Sequence, residues 1–165
     1  MLPSSIELPL VLGRLLGHLR NEARLTQRAF AASLGMGQAK LAGIEAGRTN
    51  AYVAQLLVIE RGLIERGALT RHGQVLELLD LALRDLAERG TTTTHGRVAL
   101  LADRDEIAEL DRILGTVVQG YFERERRKRP AEVIMAGDSG GDTAYGGPPT
   151  GPVTRRRVRG VGGEG

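Results

Sequence analysis

Apolar side chains recur every three or four positions in two long stretches in the second half of the chain. The first stretch, residues 71–89, has Val75, Leu79, Ala82 and Leu86 at this spacing, and the second, residues 103–127, has Ile107, Leu110, Leu114, Val117 and Tyr121. A spacing of three to four residues places these side chains on one face of a helix. The sequence therefore predicts two amphipathic helices, which we expect to form a hairpin.

The segment between these helices carries the signals of a helix end, a loop and a new helix start. Gly90 follows Arg89, as is common after the last turn of a helix, and the Thr-rich segment 90–96 is typical of a loop. Asp103 with Glu106 fits a capping box. Residues 97–102 fit either a short extended segment or the beginning of the next helix.

The first half of the chain, residues 8–60, reads as shorter helices interrupted by glycine. Thr26 can cap a helix whose inward positions are Phe30, Ala31 and Leu34, and Gly35 stands where that helix must end. A second short helix then follows, with Leu41 and Ile44 facing inward and Gly47 at its end. The small side chain of Ala31 leaves room where the two helices cross. Two short helices joined by a tight glycine turn predict a helix-turn-helix.

This stretch resembles the Xre/Cro family, the DNA-binding domains of lambdoid phage repressors and many bacterial regulators. The matching elements are Thr26-Gln27, Phe30-Ala31, Leu34-Gly35 and Ile44-Glu45-Ala46-Gly47, with Leu19-Arg20 upstream. The resemblance covers residues 12–57 and implies a five-helix, repressor-like domain that binds the major groove of double-stranded DNA. It also implies that Arg20 and Glu45 form a pair that ties the first helix to the recognition helix, residues 38–46.

The resemblance further implies a set of residues that contact DNA, and the roles of three of them are specific. Gln27 matches the position that braces the first groove-facing residue and bonds a phosphate, Gln38 is that residue and can bond an adenine edge, and Lys40 flanks a phosphate. The full set of expected DNA-binding residues is Gln27, Arg28, Gln38, Ala39, Lys40, Ala42, Gly43, Arg48, Thr49 and Asn50.

Two departures from the family pattern bear on specificity. Gly37 replaces the usual Ser or Thr cap of the recognition helix, and Gly43 lies inside it. Ala39, Ala42 and Gly43 carry no side-chain hydrogen-bonding group, which leaves Gln38 and Lys40 to contact polar base edges. These departures argue against sharp sequence specificity without arguing against DNA binding.

Composition limits the fold classes and the kinds of functional site that we expect for this chain. Aromatic residues are only 3% and there is no Trp, so a core of aliphatic side chains and an all-α fold are expected. The chain has no Cys, and its three His show no metal-ligand spacing, so we expect no metal and no cofactor. We also expect no catalytic activity, no membrane span and a cytoplasmic protein associated with the nucleoid. A sequence pI of about 9.8 is compatible with a nucleic-acid partner.

These patterns predict three regions and leave two functions open. The regions are a helix-turn-helix domain (1–66), a helical region for dimerisation or partner binding (67–129) and a disordered tail (130–165) that is rich in Gly and Pro and contains Arg155–Arg159.

The apolar seam of residues 107–121 is either an intrachain hairpin or a homodimer interface formed by residues 71–89 and 103–127. The expected function is a sequence-specific DNA-binding transcription regulator, a repressor of bacterial or phage type. The alternative is an antitoxin-like adaptor that uses the same scaffold to bind a protein.

Overall fold

Six helices and one small sheet make up the part of the chain that the structure, a computed structural model, describes: residues 2–95 and 103–136, with side chains up to residue 129. The helices are α1 (Leu8–Glu22), α2 (Gln27–Ser33), α3 (Gln38–Glu45), α4 (Val53–Glu65), α5 (Gln74–Glu88) and α6 (Arg104–Ala136). The strands are β1 (Ser5–Glu7) and β2 (Thr92–Thr94). The predicted, mostly helical fold is confirmed, and in the described residues no helix is long and apolar enough to cross a membrane.

The turn between α2 and α3 is built from the local signals that the sequence carries. The Thr26 hydroxyl accepts a hydrogen bond from the backbone N–H of Ala29 at 3.2 Å, which caps α2. Gly35 has a φ of 65° and Gly47 a φ of 70°, a left-handed conformation that glycine adopts without steric cost. Each helix therefore ends where the pattern of glycines predicts.

Close approach of α1 to α3 depends on a glycine inside α1. A Cβ atom added at Gly13 would lie 2.0 Å from the backbone oxygen of Ile44 and 3.0 Å from that of Glu45. The last turn of α3 therefore rests directly on the backbone of α1. This contact fixes the position of α3 relative to the rest of the domain.

The predicted boundary at residues 66/67 does not divide the core. Leu15, Leu19 and Ile44 from the first region share one cluster of buried side chains with Val118 and Tyr121 of α6. In the same way Leu110 and Leu114 of α6 pack with residues of α1 and α5. The seam of residues 107–121 is therefore an intrachain contact, one of the two predicted alternatives, because the apolar faces of α5 and α6 are buried within one chain. A homodimer through other surfaces of these helices stays a prediction.

Polar side chains fix the start of α5 against α6. The amide of Gln74 is buried, accepts hydrogen bonds from the backbone N–H groups of Thr70 and Arg71, and donates to the Tyr121 hydroxyl at 2.9 Å. Tyr121 in turn donates to Glu77 at 2.8 Å. Burial and the hydrogen bond to Glu77 raise the pKa of Tyr121 to about 12, so its phenol stays neutral to higher pH than usual. Because Gln74 caps the preceding turn, α5 begins at residue 74 instead of the predicted 71.

Two other predictions about the second half need correction. Part of the predicted loop 90–96 is strand β2, which pairs in parallel with β1 in the register Ser5–Thr92, Ile6–Thr93 and Glu7–Thr94. A short sheet therefore accompanies the helices, and β-branched threonine suits it. Helix α6 continues to Ala136, so residues 130–136 are helical and do not belong to the predicted tail. The remainder of that tail, including Arg155–Arg159, and the undecided segment 97–102 lie outside the described residues.

Candidate nucleic-acid interface

The first turn of α3 presents three consecutive exposed side chains, Gln38, Ala39 and Lys40. Leu41 and Ile44 are fully buried against the core and set the rotation of the helix. Gly37 is the N-cap residue of α3 and supplies no side-chain cap, as the sequence indicates. The amide of Gln38 and the ammonium of Lys40, in the first turn of α3, are therefore accessible to a partner. The opposite face of the helix is held in the core by Leu41 and Ile44.

The residues in the middle of α3 are less exposed to solvent than the resemblance implies. Gly43 is buried, and a Cβ added there would lie 2.7 Å from the Thr49 hydroxyl. The predicted groove-facing position of Gly43 is wrong, because Thr49 covers this part of the helix. Ala42 is partly buried and lies at the side of α3, facing a groove described below.

The loop after α3 is held against the helix and is exposed on its outer side. The backbone N–H groups of Arg48 and Thr49 both donate to the carbonyl oxygen of Gly43, at 2.9 Å and 3.1 Å. Arg48, Thr49 and Asn50 are all exposed. A loop tied to the recognition helix in this way presents its guanidinium and polar groups in a fixed relation to the first turn of α3.

Arg20 and Glu45 are joined by the ion pair that the resemblance implies. Arg20 Nε lies 2.7 Å from Glu45 Oε1 and Arg20 Nη2 lies 3.0 Å from Oε2, a bidentate contact. The two side chains are 11% and 8% exposed, so water screens the pair only weakly. Arg20 also donates to the backbone oxygen of Leu25. One guanidinium thus links α1, the loop before α2 and the end of α3.

Gln27 makes a different contact from the one predicted. Its amide nitrogen donates to Glu45 Oε2 at 2.8 Å, and it makes no hydrogen bond to Gln38 in the described part of the chain. Gln27 therefore braces the end of the recognition helix, and its predicted bond to a phosphate stays a prediction. Arg28, one position further along α2, is exposed.

A polar groove beside α3 brings together residues that the sequence does not connect. Arg14 and His18 of α1 both face Asp111 of α6, with Arg14 Nε 2.8 Å from Asp111 Oδ1 and His18 Nε2 3.5 Å from the same oxygen. The hydrogen bond to Asp111 raises the pKa of Arg14. Sequence analysis assigned no role to these residues, and no local signal relates positions 97 residues apart.

Comparison with known proteins agrees with this geometry. Residues 11–92 match the family model described as a helix-turn-helix domain, a range that begins within α1 and ends at the first residue of β2. The match includes α5, consistent with the shared core. No curated protein and no solved structure matches the chain. With α2, the glycine turn and α3 arranged as described, the chain contains a helix-turn-helix domain over residues 11–92.

Proposed function

We propose that the protein is a sequence-specific, non-enzymatic transcription regulator, a repressor of the bacterial or phage Xre/Cro type that places α3 in the major groove of DNA. The observation that carries the proposal is the exposed first turn of α3, which presents Gln38 and Lys40 while Leu41 and Ile44 fix the helix. A glutamine amide can donate to and accept from an adenine edge at once, and lysine neutralises a phosphate. Binding to chromosomal DNA would place the protein in the cytoplasm, at the nucleoid.

The proposal assigns different roles to three groups of residues. Gln38 and Ala39 contact base edges, the latter through its methyl group. Lys40, Arg28 and the loop Arg48–Asn50 contact the sugar-phosphate backbone and set the register on the duplex. Arg20 and Gln27 both donate to the Glu45 carboxylate and hold the end of α3 in place.

A homodimer is part of the proposal, because one short recognition helix contacts few base pairs and two half-sites supply the missing specificity. The apolar faces of α5 and α6 are not available for it. The dimer must therefore use a surface other than the seam of residues 107–121.

We expect Gln38→Ala and Lys40→Ala to weaken DNA binding in different ways. After the preferred duplex is selected from a random pool, Gln38→Ala should cost about 1–3 kcal/mol on it and relax discrimination at one base pair. Lys40→Ala should weaken all sequences alike, because its partner is a phosphate. Arg84→Ala is the control, since Arg84 is 72% exposed on α5 and pairs with Asp80.

Unchanged binding by both variants would contradict the proposed function and favour the alternative, an interaction module that uses this scaffold to bind a protein. One observation favours that alternative independently. Four large apolar side chains at the start of α4 are exposed: Tyr52 (74%), Val53 (73%), Leu57 (55%) and Val58 (43%). Several large apolar side chains exposed within two turns of one helix are typical of a surface that contacts another protein.

A further inference from the structure

The polar groove beside α3 is lined by residues of four helices, α1, α2, α3 and α6, and has a volume of about 280 Å³. Helix α1 forms its floor, α3 one wall and α6 the other. The residues that matter for its chemistry are Arg14, His18, Gln27, Ala42, Ala46 and Asp111. Along α1 from Arg14 to His18 the neighbours on α6 advance from Asp111 to Gly115, so the two helices run in the same direction and the groove follows both.

The hydrogen-bond donors on the floor of the groove contact a carboxylate of the same chain, that of Asp111. Arg14 contacts both oxygens of the Asp111 carboxylate, and the His18 ring lies 3.5 Å from one of them. The side chains of Arg14, His18 and Asp111 are 34%, 29% and 27% exposed, so all three are accessible to a solute from one side. A guanidinium with a neighbouring imidazole is a donor set that binds phosphate as readily as carboxylate.

The opposite wall fits a nucleic-acid strand. Ala42 and Ala46 lie one helical turn apart on the side of α3, and their methyl groups leave space for a bulky backbone to approach. If α3 lies in the major groove, the phosphates that border the groove run along the sides of that helix. A strand on this side of α3 passes over Arg14 and His18.

We propose that this groove binds a phosphate of the DNA strand bordering the recognition helix, and that Asp111 occupies the place of that phosphate in the free protein. The proposal rests on the proposed function. Because a carboxylate and a phosphate carry the same sign of charge, Asp111 both competes for Arg14 and repels the incoming strand. Helix α6 therefore lowers the DNA affinity of the domain it packs against.

Asp111→Asn tests this directly, since asparagine keeps the shape of the side chain and removes its charge. Affinity for duplex DNA should rise ~10-fold at 50 mM salt and ~3-fold at 200 mM for every sequence, because one further phosphate contact steepens the salt dependence by about 0.9 in log–log slope. Arg14→Gln in the Asp111→Asn protein should abolish the gain. Glu109→Gln is the matched control: it removes the same charge from α6, but Glu109 pairs with Arg112 outside the groove.

Two results would overturn the proposal while leaving DNA binding itself intact. One is an Asp111→Asn protein that binds DNA no more tightly than the wild type, and the other is a gain that Glu109→Gln reproduces in full. Arg14→Gln alone gives a second test, because it should weaken DNA binding more than Arg84→Gln, which removes the same charge from α5.

If no variant binds DNA, the proposed function fails and inorganic phosphate still tests the groove. In the Asp111→Asn protein, the NMR signals of the His18 ring should shift saturably as phosphate is added, whereas those of His72, 68% exposed near the start of α5, should not. His18 signals that do not respond would show that the groove is not an anion site.

Discussion

Gly13→Ala is expected to destabilise the protein by about 3 kcal/mol, the upper part of the range for overpacking a well-packed core. The added Cβ would lie 2.0 Å from the backbone oxygen of Ile44, and a backbone atom cannot rotate away as the end of a side chain can. Helix α3 must therefore move away from α1, and the packing between the two helices is lost. Chemical denaturation monitored by circular dichroism measures the loss.

Gly17→Ala provides the matched control, one turn further along α1. A Cβ at this position would lie 3.5 Å from the nearest atom, the Glu45 carboxylate, which is an ordinary contact distance. Alanine also favours the helix by up to about 1 kcal/mol over glycine, so this variant should be at least as stable as the wild type. Equal stabilities of the two variants would show that α1 and α3 are not in backbone contact.

Breaking the Arg20–Glu45 pair is the second large effect that we expect. Glu45→Gln should destabilise the protein by about 2–4 kcal/mol, because it leaves the Arg20 guanidinium poorly solvated and without its charged partner. The Glu45 carboxylate accepts two hydrogen bonds from Arg20 and one from Gln27, and the residue is 6% exposed. DNA binding should weaken as well, since the end of α3 is no longer fixed.

A double-mutant cycle with Arg20→Met and Glu45→Gln separates the pair from the individual side chains. We expect a coupling free energy of about 1–3 kcal/mol, well above that of an exposed pair. The Asp80–Arg84 pair on α5, with side chains 58% and 72% exposed, serves as the comparison and should show about 0–1 kcal/mol. A coupling near zero for Arg20 and Glu45 would mean that the ion pair does not hold α3.

Local signals explain why the helix-turn-helix could be predicted from the sequence. The Thr26 cap and the glycines at positions 35 and 47 act on their own neighbours in the chain, so the ends of α2 and α3 follow from the residues beside them. The approach of Arg20 to Glu45 was implied by the resemblance, and the structure supplies its third partner, Gln27. Exposure of Gln38 and Lys40 follows from the inward positions of Leu41 and Ile44.

Contacts between distant parts of the chain could not be predicted in the same way. Strands β1 and β2 pair across 87 positions from Ser5 to Thr92, and neither has an alternating pattern long enough to mark it. The amphipathic pattern of residues 107–121 indicates a buried face but does not say which chain covers it. The resemblance implies a groove-facing Gly43, whereas the loop after α3 folds back so that Thr49 covers it, a contact that no local signal in the sequence marks.

The salt dependence of binding to duplex DNA tests the central claim most directly. If the domain over residues 11–92 positions α3 in the major groove and makes about six phosphate contacts, affinity should fall by about 10³ between 50 and 200 mM salt. Fluorescence anisotropy of a labelled duplex over this range gives the slope, and Lys40→Ala should reduce it by about one while Arg84→Ala leaves it unchanged. An affinity that does not depend on salt, or no binding at 50 mM, would contradict the account.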